Sequence, residues 1–152
     1  MLYQTPRRLS AGDEAALGVT YATVPELLAQ ADVVSLHCPL NDKTRGMIDA
    51  AALATMKPTA VLINVARGGV VVEADLAEAL KAGVIHGAAT DVFAEEPVPA
   101  DNPLLHLPNC IVTPHIAAAS IDTFEPTMRH MFGNFELVAR GERVPDRDLV
   151  LA

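Results

Sequence analysis

Short apolar runs, separated by stretches patterned as helices, constrain this chain most. Residues 1–3, 32–36, 60–64, 85–92 and 110–113 are too short for buried helices and lack the strict alternation of strands wetted on one face. Such runs read as strands of a parallel sheet covered on both faces. The segments between them carry the crossover helices. Thr23 and Glu26 form a capping box ahead of Leu27, Leu28 and Ala29. A second helix is expected over 73–82, with Leu76, Ala79 and Leu80 on one face and Gly83 in the left-handed position that ends it. Over 121–139 the residues Phe124, Met128, Met131, Phe132, Phe135 and Val138 recur at helical spacings, which predicts a long amphipathic helix. Gly141, Pro145 and alternating charges then read as an exposed tail. The expected fold class is α/β with a doubly wound parallel sheet, whose ligands bind beyond the carboxyl ends of the strands.

Composition narrows the function. With 152 residues, 51% of them hydrophobic and 20% charged, the chain has enough apolar material for one globular core and is not a disordered tail. Its 19 acidic against 11 basic residues give a net charge of -8, which argues against nonspecific binding to nucleic acid or to an anionic membrane. No apolar run approaches the roughly 18 residues of a membrane helix, and the first residues lack the pattern of a signal peptide. Cys38 and Cys110 are the only cysteines. Without a CxxC or a neighbouring histidine pattern they indicate neither a disulfide framework nor a metal site, and they suit buried thiols of a cytoplasmic protein. A complete dinucleotide-binding domain opens with a strand, a GxGxxG turn and a helix whose N-terminus holds the pyrophosphate. None of the nine glycines forms that turn, and residue 1 starts directly in a strand. An incomplete sheet that begins one strand-helix unit late is expected.

Candidate chemistry gathers at three strand ends. After 60–64 comes Val65-Ala66-Arg67-Gly68-Gly69, where paired glycines let backbone approach a ligand and Arg67 offers a planar fork for a carboxylate. The same arginine also suits a helix C-terminus or a surface acid. After 85–92 come Asp91 at the strand end and Glu96 just before Pro97, although paired loop acids are commonly solvated. After 110–113 comes His115, behind a proline-fixed turn. Its type titrates near working pH, as a general acid/base must, and a lone histidine can equally be a bystander. Together the three fit one division of labour: an arginine clamps a 2-oxo carboxylate, a histidine protonates the carbonyl, and an acid holds the imidazole.

These residues resemble the D-isomer-specific 2-hydroxyacid dehydrogenases. The resemblance rests on Ala31-Asp32-Val33-Val34-Ser35-Leu36-His37-Cys38-Pro39-Leu40, Thr44-Arg45-Gly46, Met56-Lys57-Pro58, Leu62-Ile63-Asn64-Val65-Ala66-Arg67-Gly68-Gly69, Asp91-Val92-Phe93 through Glu96-Pro97, Pro103-Leu104 and Thr113-Pro114-His115-Ile116. It implies a Rossmann-like cofactor domain over 1–118 that lacks its first βα unit. The C-terminal helix and tail, 119–152, would pack on a substrate domain. By the same resemblance Arg67 binds the substrate carboxylate, His115 is the acid/base, Glu96 is its paired acid, and Asp91 orients the nicotinamide carboxamide. His37, Cys38, Pro39, Thr44, Val65, Ala66, Ala117 and Ala118 would line the cofactor pocket. Departures from the family pattern are Ala117 after His-Ile, Thr59 after Lys-Pro, and Val72 where an aspartate usually precedes Glu73.

The implied reaction moves a hydride between a nicotinamide cofactor and a 2-hydroxy or 2-oxo acid, in a homodimer. The alternative is a noncatalytic nucleotide-binding or dimerisation module derived from the same family. For the cofactor, NAD(P) is expected with NADP favoured over NAD. An acid at the end of the second strand of a dinucleotide fold would accept from the adenine ribose and repel a 2′-phosphate. After the strand at 1–4 stand Thr5, Pro6, Arg7 and Arg8 instead, which can donate to a phosphate.

Overall fold

In the computed structural model, which describes residues 1–149, every strand pair is parallel. Strands β1 (Leu2–Tyr3) and β2 (Thr20–Tyr21) pair with each other. Strands β3 (Val33–Leu36), β4 (Val61–Asn64), β5 (Gly87–Thr90) and β6 (Cys110–Val112) form a separate four-stranded sheet in chain order. In a doubly wound sheet of order 3-2-1-4-5-6 a further strand lies between two such groups. No described residue fills that place, so the ladder is interrupted there. The strands are shorter than the apolar runs that announced them. Ile85 and Val92, for instance, are buried but lie outside the β5 ladder, because the core continues beneath the turns on either side.

Registered residues of a parallel sheet share a face. On one face Val34, Leu62, Ala88 and Cys110 lie side by side, followed by Leu36, Asn64, Thr90 and Val112. This face is covered. Helices α2 (Val24–Gln30), α3 (Ala50–Thr55) and α4 (Glu73–Lys81) bury Leu28, Leu53, Leu76 and Leu80 in one cluster with Val34, Leu36 and Leu62. The opposite face carries Ser35, Ile63, Ala89 and Ile111, with Val33 and Val61 one layer away. Here Val33 is 57% and Ile111 71% exposed, so the continuous apolar pattern, expected to be buried on both faces, is covered on one.

Helix ends follow local chemistry. Glu26 Oε2 accepts from both the backbone N–H and the hydroxyl of Thr23, at 2.9 and 2.7 Å, and so closes the start of α2. Asp49 caps α3 through Ala52 N–H at 2.8 Å, and Asp75 of α4 accepts from Ala50 N–H at 2.8 Å. Val72 provides α4 with no side-chain cap, whereas Gly83 ends it at φ 67° as expected. Helix α1 (Ala11–Leu17), β2 and α3 escape the sequence patterns. They have two to seven residues, and α1 buries none, so no periodic stripe exists to be read.

The chain divides into two units, Met1–His115 and Ile116–Ala152. Helix α5 (Ile121–Ala139) occupies the second and coincides with its predicted span. None of its residues is buried, and Phe124, Phe132 and Phe135 are 57–66% exposed. The tail is not wholly exposed as expected. A 3-10 turn at Asp146–Asp148 brings Asp148 Oδ1 to 2.9 Å from His130 Nε2 of α5.

Candidate active site

The carboxyl ends of β4, β5 and β6 deliver the three groups. Beyond β4, the buried side chain of Asn64 braces the turn: its Nδ2 donates to Arg67 O and its Oδ1 accepts from Ala66 N–H, both at 3.1 Å. That bracing leaves Arg67 exposed, with Nη1 donating to Ala66 O at 2.6 Å. Gly68 then runs against the loop beyond β5. A Cβ on it would fall 1.9 Å from the Phe93 carbonyl carbon and 2.3 Å from Ala94 N, so only glycine fits.

The loop after β5 places two carboxylates in different settings. Asp91 is 4% exposed, and its Oδ1 accepts from the Thr113 hydroxyl at 2.5 Å, which ties the end of β5 to the end of β6. Glu96 is exposed. Its Oε1 accepts from Phe93 N–H at 2.9 Å and its Oε2 lies 2.8 Å from His115 Nδ1. His115, hydrogen bonding first and Phe93 N–H second, holds the Glu96 carboxyl below its usual range, with further help from the charges of His115 and Arg67. His115 itself has φ 57°, a left-handed conformation uncommon outside glycine, asparagine, aspartate and histidine. The three predicted catalytic residues therefore share one end of the sheet, two of them in direct contact.

The predicted cofactor residues are placed as follows. His37, Cys38 and Pro39 follow β3, with His37 Nε2 2.8 Å from Ser35 Oγ. Thr44 closes this loop by donating to Pro39 O at 2.6 Å. Val65 is half-buried and Ala66 buried, so the latter offers backbone rather than side chain. Ala117 and Ala118 are exposed residues of the second unit. Cys38 and Cys110 are free and half-buried rather than buried, and burial pushes the Cys110 thiol up. Beyond β1, Thr5 is spent on a local turn with Arg7, accepting from its N–H at 3.2 Å and donating to its carbonyl at 3.0 Å. Arg8 is engaged: Nε and Nη2 reach the two Glu14 oxygens at 2.8 and 3.0 Å, and the guanidinium lies 5.3 Å from the centre of the Tyr21 ring. Glu14 also accepts from the Tyr3 hydroxyl at 2.8 Å. The roles of Asn64, Thr113 and Glu14 are not singled out in the sequence reading. A polar residue closing an apolar strand signals the first two, whereas nothing in the spacing of Glu14 foretells its contact with Arg8.

This is a parallel α/β layer with an arginine, a histidine–carboxylate pair and a buried acid at its carboxyl edge, the edge at which doubly wound folds bind ligands. Residues 1–117 match the family described as "D-isomer specific 2-hydroxyacid dehydrogenase, NAD binding domain", and the chain belongs to that family. It is 44% identical over 133 residues to a glyoxylate reductase of Korarchaeum cryptofilum, a match covering 88% of this chain and 40% of the relative. It is 41% identical over 132 residues to a D-3-phosphoglycerate dehydrogenase of Mycobacterium bovis, covering 87% and 25%. The chain thus spans well under half the length of these relatives. Among solved structures, Granulicella M. formate dehydrogenase superposes with TM-score 0.92 at 29% identity, over 99% of this chain and 40% of that one. A D-isomer specific 2-hydroxyacid dehydrogenase of Xanthobacter autotrophicus, in complex with NADPH and MES, gives TM-score 0.71 at 36% identity over 94% and 57%. Among the described residues no helix is long and apolar enough to cross a membrane.

Proposed function

We propose that this chain is the cofactor-binding part, over 1–118, of an enzyme that interconverts a 2-hydroxy acid and a 2-oxo acid with a nicotinamide cofactor, as a cytoplasmic homodimer. The observation that carries the reading is the 2.8 Å contact between His115 Nδ1 and Glu96 Oε2 at the strand edge that also bears Arg67. The donor set suits a nicotinamide: buried Asp91 is an acceptor for a carboxamide, and the 37–39 and 65–66 loops offer backbone and small apolar groups. When bound, the cofactor supplies or takes up the hydride; the protein supplies alignment.

The chain's own residues have distinct tasks. Arg67 binds the substrate carboxylate in bidentate fashion and polarises the neighbouring carbonyl. His115, with Nδ1 held by Glu96, presents Nε2 as the proton donor to the forming alkoxide, a contribution of about 10²- to 10⁴-fold. Glu96 stabilises the imidazolium and fixes the ring. Thr113 orients Asp91 by donating to its Oδ1. Cofactor contacts are assigned to His37, Cys38, Pro39, Thr44, Val65, Ala66 and Asp91. Arg7, with Thr5 shaping its turn, is assigned to a 2′-phosphate and hence to NADP in preference to NAD. The test is steady-state reduction of small 2-oxo acids by the full-length parent with NADH or NADPH. Turnover that depends on Arg67 and His115 supports the reading, and a full-length protein that binds dinucleotide yet turns over no 2-oxo acid sinks it in favour of a noncatalytic module.

A further inference from the structure

We propose that Glu73 is a positioning residue for the Glu96–His115 pair, the clasp that fixes the loop from which Glu96 projects. The inference rests on the catalytic reading of that pair and goes one step outward from it. Residues 94–97 are exposed, so little burial holds them in place. One carboxylate closes the loop instead. Glu73 Oε1 accepts from Ala94 N–H at 2.5 Å, and its Oε2 accepts from Asn102 Nδ2 at 2.7 Å, with Glu96 lying between the two tied points. Asn102 is fixed as the donor because its Oδ1 accepts from Leu104 N–H at 3.0 Å.

The nearer tie lies next to the hydrogen bond that holds Glu96, and the farther one closes the loop beyond it. Phe93 N–H is given to Glu96 and Ala94 N–H to Glu73, so the consecutive amides are held by the two acids. Phe93 itself is pinned against Gly68, but without Glu73 the Ala94 amide and the Asn102 side chain both lose their acceptor, so the exposed segment between them, from which Glu96 projects, is free to shift away from His115. Glu73 sits in the first turn of α4, where the helix dipole favours a negative charge. It touches no reacting atom. Its role is to hold both ends of the segment that carries Glu96, and so to place the carboxylate that meets His115.

The sign of one titration separates this role from simple electrostatics. The groups acting on the Glu96 carboxyl are His115, the Phe93 amide and Arg67, and together they hold it low. Removing the Glu73 charge without loosening the loop would lower the Glu96 midpoint further, because a neighbouring negative charge disappears. Loosening the loop raises it. The side-chain carboxyl of Glu96 is followed by carbon-13 NMR against pH in this chain, for the wild type, Glu73→Ala, Glu73→Gln and Asn102→Ala, with Glu78→Ala on the same helix as control. Glu73→Ala should raise the midpoint by about half a unit or more. Glu73→Gln, which keeps one carbonyl acceptor, and Asn102→Ala, which cuts the far tie together with the Leu104 cap but leaves the Ala94 tie, should give smaller rises. An unchanged or lowered midpoint in folded Glu73→Ala overturns the proposal. If that variant does not fold, unchanged midpoints in both of the milder ones overturn it. No turnover enters the measurement, so failure here is distinct from failure of the dehydrogenase reading, which shows itself in the kinetics of the full-length parent.

Discussion

Gly68 and Phe93 meet backbone to backbone, so closely that a single added Cβ would lie 1.9 Å from the Phe93 carbonyl carbon. The contact locks the turn bearing Arg67 to the loop bearing Glu96, and backbone atoms cannot yield as a flexible side chain would. Gly68→Ala should therefore destabilise the chain by about 1–3 kcal/mol, as overpacking does. Urea unfolding followed by circular dichroism measures it. A substitution with no effect on the midpoint would show that the two segments separate at little cost. Gly69 differs: the nearest atoms to its added Cβ belong to the Leu40 and Arg45 side chains, at 3.1 Å and beyond, and Gly69→Ala should be milder.

This contact also shows what a sequence conceals. The apolar runs and the span of α5 are legible because burial imposes a period, and Arg67, Asp91, Glu96 and His115 are legible because each follows a strand. Their partners are not. Glu73 meets Ala94 and Asn102 across 21 and 29 residues, and nothing in local spacing encodes which acid reaches which amide. Likewise the open face of the four-stranded sheet is invisible in the pattern. Val33, Ile63 and Ile111 have the composition of doubly covered strands, and composition reports what a face suits rather than what covers it.

Arg67→Ala in the full-length parent should lower kcat for 2-oxo acids by about 10²- to 10³-fold or more, the cost of removing one preorganised charge-stabilising donor. Dinucleotide binding should persist, since Arg67 is exposed and Asn64 braces the turn through backbone atoms as well as its neighbour. Fluorescence titration with reduced cofactor, beside steady-state kinetics, separates the two effects. A near-normal kcat and KM would remove Arg67 from the site.

Glu96→Gln and His115→Asn should differ in kind. Losing the imidazole removes the proton donor and should depress kcat at every pH. Amidating Glu96 keeps a hydrogen-bonding oxygen but removes the negative charge beside the ring, so the pH–rate profile for reduction should move to lower pH. Because the folded-state Glu96 carboxyl is held low, its contribution to stability is present above the unfolded carboxyl value and fades as pH falls through the folded one. Glu96→Gln should flatten that acid limb in a thermal-melting series. If the pH–rate profile and the acid limb both match the wild type, the contact at 2.8 Å has no energetic role.

The cofactor preference is the sharpest question left at β1, because the two arginines that follow it are not equivalent. Arg8 is already neutralised: Glu14 takes two of its N–H groups, and the Tyr21 ring lies 5.3 Å away. Arg8 and the Tyr3 hydroxyl hold the Glu14 carboxyl below its usual range. Arg7 is exposed, has no ion pair among the described residues, and stands on a turn closed by Thr5. A 2′-phosphate should therefore meet Arg7 first. In the full-length parent Arg7→Ala should raise the KM for NADPH about tenfold, the effect of losing one charge-assisted contact, while leaving that for NADH nearly unchanged. Arg8→Ala should affect the two cofactors more evenly, since it breaks a structural pair. Glu14→Gln should release Arg8 toward the phosphate and lower the KM for NADPH relative to NADH. Equal changes for both cofactors in Arg7→Ala, or a parent that prefers NADH from the start, would show that the segment after β1 does not read the phosphate.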